Sequence, residues 1–283
     1  MGLFNYFYED HWMIGTAPFN LSEVIQNGID FEKATFYATS KEYYYADPFW
    51  HSSLGHDNII CERFDFKSQH GSLSKLNLAD GKLSNEKTFL KENWHLSFPF
   101  LIEIDGVLKM IPESSYNKET TIYNVNDLKA KLFLNSALVD PIVYFYNDTY
   151  WLFAGLQNGK QNEELHLFVS KDFENWEKHS SSPICVTAIG GRMAGNLFNV
   201  DNELYRLGQN CKKGYGKGVV IFKITSLSQD LYAEEEVARI DPPEGYSGFH
   251  TINQFGDKIV FDVKKTYFSA LKPLRRIKRK LFS

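Results

Sequence analysis

The chain has 283 residues, 43% hydrophobic, 16% aromatic and 23% charged, which is the make-up of a folded globular protein and excludes a fibre, a disordered tail or a bilayer span. That length suits one large β domain or two ordinary ones. The net charge of −4 hides an asymmetry, because the segment from Lys264 to Ser283 holds eight basic residues and no acidic one, leaving the rest of the chain at about −12.

The first residues, MGLFNYFYEDHW, lack the cationic start and long apolar core of a secretory signal, and no later run approaches the roughly 20 apolar residues of a membrane helix. The expected location is therefore the cytosol. Tyr6 stands where a myristoylation pattern needs Ser or Thr. Cys61, Cys185 and Cys211 are odd in number, far apart and without CxxC spacing, so they read as buried or incidental thiols and support neither a disulfide framework nor a zinc site. No metal and no cofactor are expected.

Five segments then repeat one plan: an opening turn, a short apolar strand, a tight polar turn and a second alternating strand. They begin at Tyr45 (YADPFWHSSLGHDNIICERF), Ser97 (SFPFLIEIDGVLKMIPESS), Val139 (VDPIVYFYNDTYWLFAG), Arg192 (RMAGNLFNVDNELYRLGQN) and Gly248 (GFHTINQFGDKIVFDV). Spacings of roughly 40 to 55 residues are those of propeller blades. Asp105-Gly106, Asn147-Asp148, Asp201-Asn202 and Gly256-Asp257 fall between alternating strands, where primed hairpin turns need the positive φ that Gly, Asn and Asp tolerate. LHLFVS from Leu165 and GVVIFKIT from Gly218 supply third strands, whereas SLSQDLYAEEEVA from Ser226 has room for a short helical turn. A β-sandwich or two smaller β domains also accommodate short strands, but neither calls for five copies of one unit. The sequence predicts an all-β, five-bladed propeller over residues 1–263, with a short basic helix or tail over 264–283. HWMIGTAPF, from His11, would close the ring against the last blade and remove an exposed edge.

In a propeller the opening turns converge on one funnel, which brings together Asp47, the Ser97–Pro99 turn, Asp140, Arg192 and His250, with Glu113 ending the strand after the second hairpin. Pro48 and Pro141 are expected to hold the aspartates before them extended. Asp47, Glu113 and Asp140 form a candidate carboxylate set for glycosidic chemistry, one donating a proton to the leaving oxygen and another acting as base or nucleophile. Arg192 would balance them or hold an anionic group, and His250 would move a proton or bind a hydroxyl. Gln209, Tyr215, Trp50 and Phe98 complete the expected saccharide contacts, the rings by stacking on sugar faces. The alternatives are that Asp-Pro turns merely cap strands, that His250 is a satisfied core residue, and that most aromatics pack between blades. GYGKG at Gly214 lacks the dinucleotide fingerprint, AGLQNGKQ lacks P-loop spacing, GYSGF is no nucleophile elbow, and HExxH is absent.

ADPF at Ala46, VDPI at Val139 and LFVSKDFENWEKH from Leu167 resemble the five-bladed superfamily of glycoside hydrolase families 43, 32 and 130. HWMIG, SFPF…IPESS, VDPIVY…YWLFA, ELHLF, RMAG…LYRLGQNC…GYG and HTIN are similar, more closely, to the N-terminal propeller of glucosamine inositolphosphorylceramide transferases, over nearly the whole chain to Val263. Bacterial relatives of that domain occur beside formyltransferases and glycosyltransferases. The resemblance implies a carbohydrate-active or carbohydrate-recognising propeller with Asp47 at the position of the family 43 general base. The order Asp, Glu, Asp departs from that family's Asp, Asp, Glu. An enzyme acting on a glycosidic linkage by transfer or hydrolysis, in surface glycan or glycolipid assembly, is the leading expectation. A non-catalytic glycan-binding scaffold assisting a separate glycosyltransferase is the second, and a purely structural propeller the third.

After Pro273 the residues Leu274, Ile277, Leu281 and Phe282 fall on one side of a helix, with Arg275, Arg276, Lys278, Arg279 and Lys280 around it. Such an end is expected to attach to anionic lipid, at about 1 kcal/mol per basic residue near the surface. The other reading is a solvated tail or incidental nucleic-acid stickiness. No specific nucleic-acid partner is expected.

Overall fold

The computed structural model describes residues 7–114, 117–157, 160–270 and 272–273. Within them five antiparallel sheets follow one another in a ring, an all-β five-bladed propeller. Blade one runs outward through Tyr43–Phe49, Asn58–Asp65, His70–Asn77 and Ser84–Leu90, and blade two through Ser97–Ile104, Val107–Glu113, Thr120–Asn124 and Ala130–Leu134. Blade three contains Leu138–Tyr146, Thr149–Leu156, Glu164–Ser170 and Glu177–Lys178. Blade four contains Ile189–Met193, Glu203–Asn210, Val219–Leu227 and Tyr232–Ile240. Blade five takes Gly248–Phe255 and Lys258–Phe268 from the end of this stretch and Tyr8–Ala17 and Thr35–Phe36 from its beginning. Tyr8–Ala17 pairs along its whole length with Lys258–Phe268, Met13 opposite Val263, so the ring is fastened by the two ends of the chain as the sequence predicts.

The hairpins form where the turn residues permit positive φ. Asp105 and Gly106 lie at +52° and +73°, Asn147 and Asp148 at +50° and +52°, and Asp201 and Asn202 at +51° and +65°, the values of a type I′ turn. Between blades the apolar faces interdigitate: Phe49 of blade one meets Phe98 of blade two edge-on at 4.8 Å, and one buried cluster continues from there through Ile142, Phe153 and Met193. A second cluster, with Leu207, Ile221, Ile252 and Phe261, joins blades four and five.

Each innermost strand is interrupted by a bulge. Asp47 and Pro48 together oppose Cys61, Phe98 and Pro99 oppose Pro112, Asp140 and Pro141 oppose Ala154, and His250 and Thr251 oppose Asp262. In blade four three residues, Gly190 to Arg192, oppose Gln209. Asp47, Phe98 and Asp140 stand at φ of +50°, +45° and +46°. The extended conformation expected before proline is therefore not adopted at Asp47 and Asp140, because the extra residue of the bulge has to turn the chain, which a left-handed residue does. A non-glycine residue there costs about 1–3 kcal/mol and needs support from its surroundings.

Three expectations are corrected. Tyr232–Ile240 is a strand, not a helical turn: it pairs with Val219–Leu227, and its Glu234 receives a two-pronged ion pair from the fully buried Arg206. A short helix, Leu21–Asn27, stands where no helix was expected, held by a capping box between Asn20 and Glu23. Finally the last strand continues through Lys264 to Phe268, five residues past the expected boundary at 263, because Tyr8 to Trp12 provide it with a partner. Arg275, Arg276, Lys278, Arg279 and Lys280 lie outside the described residues.

Candidate functional site

The bulges explain how the site is assembled. A bulged residue leaves the ladder, so its backbone N–H needs an acceptor from elsewhere. A carboxylate of the preceding blade supplies it three times around the ring. Asp262 of blade five accepts from Asp47 N at 2.8 Å, Asp47 of blade one from Phe98 N at 3.2 Å, and Glu113 of blade two from Asp140 N at 3.3 Å. Acidic groups of the funnel thus clasp blade five to blade one, blade one to blade two and blade two to blade three.

Asp262 also accepts from His250 Nδ1 at 2.6 Å and from the backbone N–H groups of His250 and Thr251 at 3.3 and 3.0 Å. Asp47 accepts from the Thr251 hydroxyl at 2.9 Å and lies 3.4 Å from His250 Nε2. The imidazole thereby spans two carboxylates, and the Trp12 ring stacks on it at 3.8 Å. Across the funnel Arg192 reaches Asp140 through Nε at 2.6 Å and Nη2 at 3.2 Å, and through the same Nη2 reaches Glu113 at 3.2 Å. Gln209 donates to Asp140 at 2.9 Å and to the Met193 carbonyl at 2.9 Å. Over these groups lies the loop containing Tyr215, whose ring faces the Arg192 guanidinium at 4.9 Å and stands edge-on to His250 at 5.2 Å. Gly216 at φ +63° allows this approach, since a Cβ there would sit 2.8 Å from the Trp12 ring.

The network is almost closed to solvent. Asp47 is 5% exposed, Glu113 6%, Asp140 and His250 2%, and Gln209 and Asp262 0%, while Tyr215 at 37% is the large aromatic that reaches the surface. Burial pushes the Asp47 carboxyl up, opposed by His250 and reinforced by Asp262. Burial also raises Asp140 well above the ordinary carboxylate range, although Arg192 opposes it. Arg192 is drawn down by burial and pushed up more strongly by Asp140, Tyr215 and Glu113, so it stays charged. A further acid, Glu62, sits one position along from Cys61, paired with Ala46 as Glu113 is paired with Ser97. It is raised well above its usual value by burial, then by Asp47 and Glu113.

Asp47, Glu113, Asp140, Arg192 and His250 therefore come together at one end of the ring, Gln209 joins them on Asp140, and Tyr215 through its loop. Phe98 contributes its backbone N–H and not its ring, which is fully buried against Phe49. Trp50 belongs elsewhere: its indole N–H donates to the Gly55 carbonyl and its ring meets Phe255 edge-on, beyond the far end of the inner strand. Asp262, Glu62, Thr251 and Trp12 were missed. The signal for the two acids was present, since each interrupts an apolar run, IVFDV and IICERF, where an acid needs a partner. Asp47, His250 and Asp262 offer three ligand atoms within 4.8 Å of one another, a grouping able to hold a cation, which no spacing along the chain foreshadows. Here each ring nitrogen of His250 faces one of the carboxylates instead.

Comparison with known proteins places this geometry. Residues 37–246 match the family model described as glucosamine inositolphosphorylceramide transferase 1, N-terminal. The Arabidopsis thaliana glucosamine inositolphosphorylceramide transferase 1 is 35% identical over 159 residues, covering 52% of this chain and 21% of that protein. This chain thus corresponds to about a fifth of that relative's length. Among solved structures, the catalytic domain of a Coprinopsis cinerea family 62 α-L-arabinofuranosidase superposes with a TM-score of 0.55 at 9% identity, over 81% of this chain and 93% of that one. A family 43 β-xylosidase/α-arabinofuranosidase from a compost metagenome gives 0.54 at 12% identity, over 81% and 92%. These two likenesses establish the fold, and the sequence match establishes the lineage: the chain belongs to the family of the N-terminal domain of glucosamine inositolphosphorylceramide transferase 1.

Proposed function

We propose that this propeller recognises a saccharide at the funnel mouth and takes part in assembling a glycolipid or surface glycan alongside a separate glycosyltransferase. What carries this reading is the Arg192 guanidinium, which fills the space between Asp140 and Glu113. A sugar held for cleavage between those two carboxyls would have to occupy that space, with one carboxyl on either side of the glycosidic bond. Asp47 and Asp262 are likewise engaged, on His250, Thr251 and backbone N–H groups. Tyr215 and the rim around it are left for contact with a ligand. Because Arg192 is already matched by two acids, the ligand's anionic groups have little to gain from it, and recognition through hydroxyls and ring faces fits better. The family's name adds that a relative acts on a sugar and a phosphorylated lipid.

The test is titration of the protein with a panel of mono- and disaccharides, followed by a search for product. Saturable binding that Tyr215→Ala weakens, without release or transfer of sugar, supports recognition. Turnover that Asp47→Asn abolishes would overturn it in favour of the enzymatic reading. One observation favours that second reading: burial raises the Asp47 carboxyl above its ordinary value, as environments that tune catalytic carboxyls do.

A further inference from the structure

At the end of the ring where the funnel opens, blade five carries a two-stranded ribbon that runs past its own sheet. The inner strand begins at Gly248, opposite Lys264, whereas residues 265–268 continue beyond it with residues 8–11 as their partner. On the other side Thr35–Phe36 meets only Gly15 and Thr16, so among the described residues no third strand pairs with the extension.

The ribbon is rooted at the funnel mouth. Lys264 donates to Asp10 at 3.1 Å and to the Tyr215 carbonyl at 3.4 Å, and Trp12, opposite Lys264, is the ring that stacks on His250. Further out, the Thr266 hydroxyl donates to Asp10 at 2.8 Å and Ser269 N to the Phe7 carbonyl at 2.6 Å, which ties the two strands together up to the tip.

That tip is apolar. Phe268 is 65% exposed, Tyr267 45% and Phe7 36%, with the Phe7 and Phe268 rings stacked at 5.9 Å. Together with Tyr215 they are four of the five exposed aromatic side chains among the described residues, the fifth being Phe145 on blade three, so exposed rings are concentrated at this mouth. A cluster of rings left in water on a well-bonded ribbon marks a contact surface.

The same region is basic. Asp10 is engaged by Lys264 and Thr266 and Glu9 is buried, whereas Lys212 and Lys213 are exposed on the Tyr215 loop and form no ion pair among the described residues. From Lys264 onward the sequence holds eight basic residues and no acidic one. A second copy of the chain would bring the same positive charge to the contact and be repelled. A bilayer containing anionic lipid offers what both features need: anionic headgroups for the ammonium and guanidinium groups, and just beneath them an apolar layer for the rings.

We propose that the ribbon tip, with the basic residues around it and after it in sequence, docks on an anionic bilayer surface and turns the funnel mouth toward the headgroups. This rests on the ribbon and its charges and not on the saccharide reading.

The experiment sediments the intact protein with vesicles of phosphatidylcholine, alone or mixed with phosphatidylserine. Saturable binding to the mixed vesicles, weak binding to phosphatidylcholine alone and release at high salt are expected. The double variant Phe7→Ser, Phe268→Ser should weaken binding about tenfold or more, as loss of buried ring surface does, with the melting temperature unchanged because both rings are exposed. Lys212→Gln with Lys213→Gln should weaken binding and flatten its salt dependence. In Phe268→Trp the new indole should be quenched by lipids brominated in their acyl chains, beyond any quenching of the wild type. Absence of saturable binding to the mixed vesicles at low salt overturns the proposal. Binding that survives the serine variant and leaves the new indole unquenched overturns the ribbon, because charge alone then holds the protein. A dimer that the serine variant dissociates, or an oligonucleotide that displaces the vesicles from the same residues, overturns the bilayer as the occupant. Saccharide binding by the serine variant should equal that of the wild type, so failure here and failure of the proposed function are read separately.

Discussion

Replacing Asp262 by Asn tests whether the carboxylates hold the ring together. The wild-type carboxylate is fully buried and accepts four N–H groups, from Asp47, from the backbone and ring of His250, and from Thr251. An amide has one acceptor atom and one donor atom in the same place. Its better orientation keeps the oxygen toward His250 and Thr251 and turns the NH2 toward Asp47 N, where donor faces donor. The loss is one charge-assisted hydrogen bond, worth about 1.5–3 kcal/mol, together with a buried donor left unsatisfied, about 1–3 kcal/mol. The remaining bonds weaken as the charge disappears. A destabilisation of about 3–5 kcal/mol is expected, and at roughly 2–4 °C per kcal/mol the melting temperature should fall by about 6–20 °C. Calorimetry and urea unfolding both read this. An Asn variant within about 1 kcal/mol of wild type would refute the idea that this carboxylate clasps blade five to blade one.

Two other substitutions probe buried charge. Glu62 has its folded-state pKa raised by burial and by Asp47 and Glu113, so the folded protein holds its proton more tightly than the unfolded chain. Below the ordinary glutamate pKa both states are protonated and nothing is lost; as the pH rises above it, the wild type loses stability until the folded pKa is reached. Glu62→Gln should therefore match wild type near pH 4 and become progressively more stable than it toward pH 8 in urea unfolding, and a gap that does not widen with pH would count against this account. In blade four, Glu234→Gln leaves the guanidinium of Arg206 buried without its counter-charge, at an expected cost of about 3–5 kcal/mol in denaturant midpoint analysis. A change below 1 kcal/mol would mean that the Gly190 carbonyl and the Phe222 ring suffice to hold Arg206.

Much of the fold was legible because its determinants are local. Asp105-Gly106, Asn147-Asp148 and Asp201-Asn202 can each take two successive positive φ values, which most residue pairs cannot, and the alternating strands around them need only one buried face. The capping box at Asn20 and Glu23 is an equally local signal, and it was overlooked in a chain read for strands. The segment after Ser228 was misread for a different reason: its AEEEVA stretch favours a helix in isolation, and only pairing with Val219–Leu227 and the Glu234–Arg206 ion pair make it a strand.

The sequence by itself determined the number of blades, the closure by the first strand and the convergence of Asp47, Glu113, Asp140, Arg192 and His250, since a repeat places equivalent positions at one end of a common axis. Only the tertiary structure decided what those groups are doing. Which carboxylate accepts which N–H depends on bulges in strands more than 200 residues apart, as between Asp47 and Asp262, and no spacing along the chain encodes that distance. The same closeness makes the acids neighbours, raises Asp47, Asp140 and Glu62 by burial, and sets Arg192 between two of them. A row of candidate catalytic residues in the sequence is, in three dimensions, a nearly sealed clasp with Tyr215 at its rim.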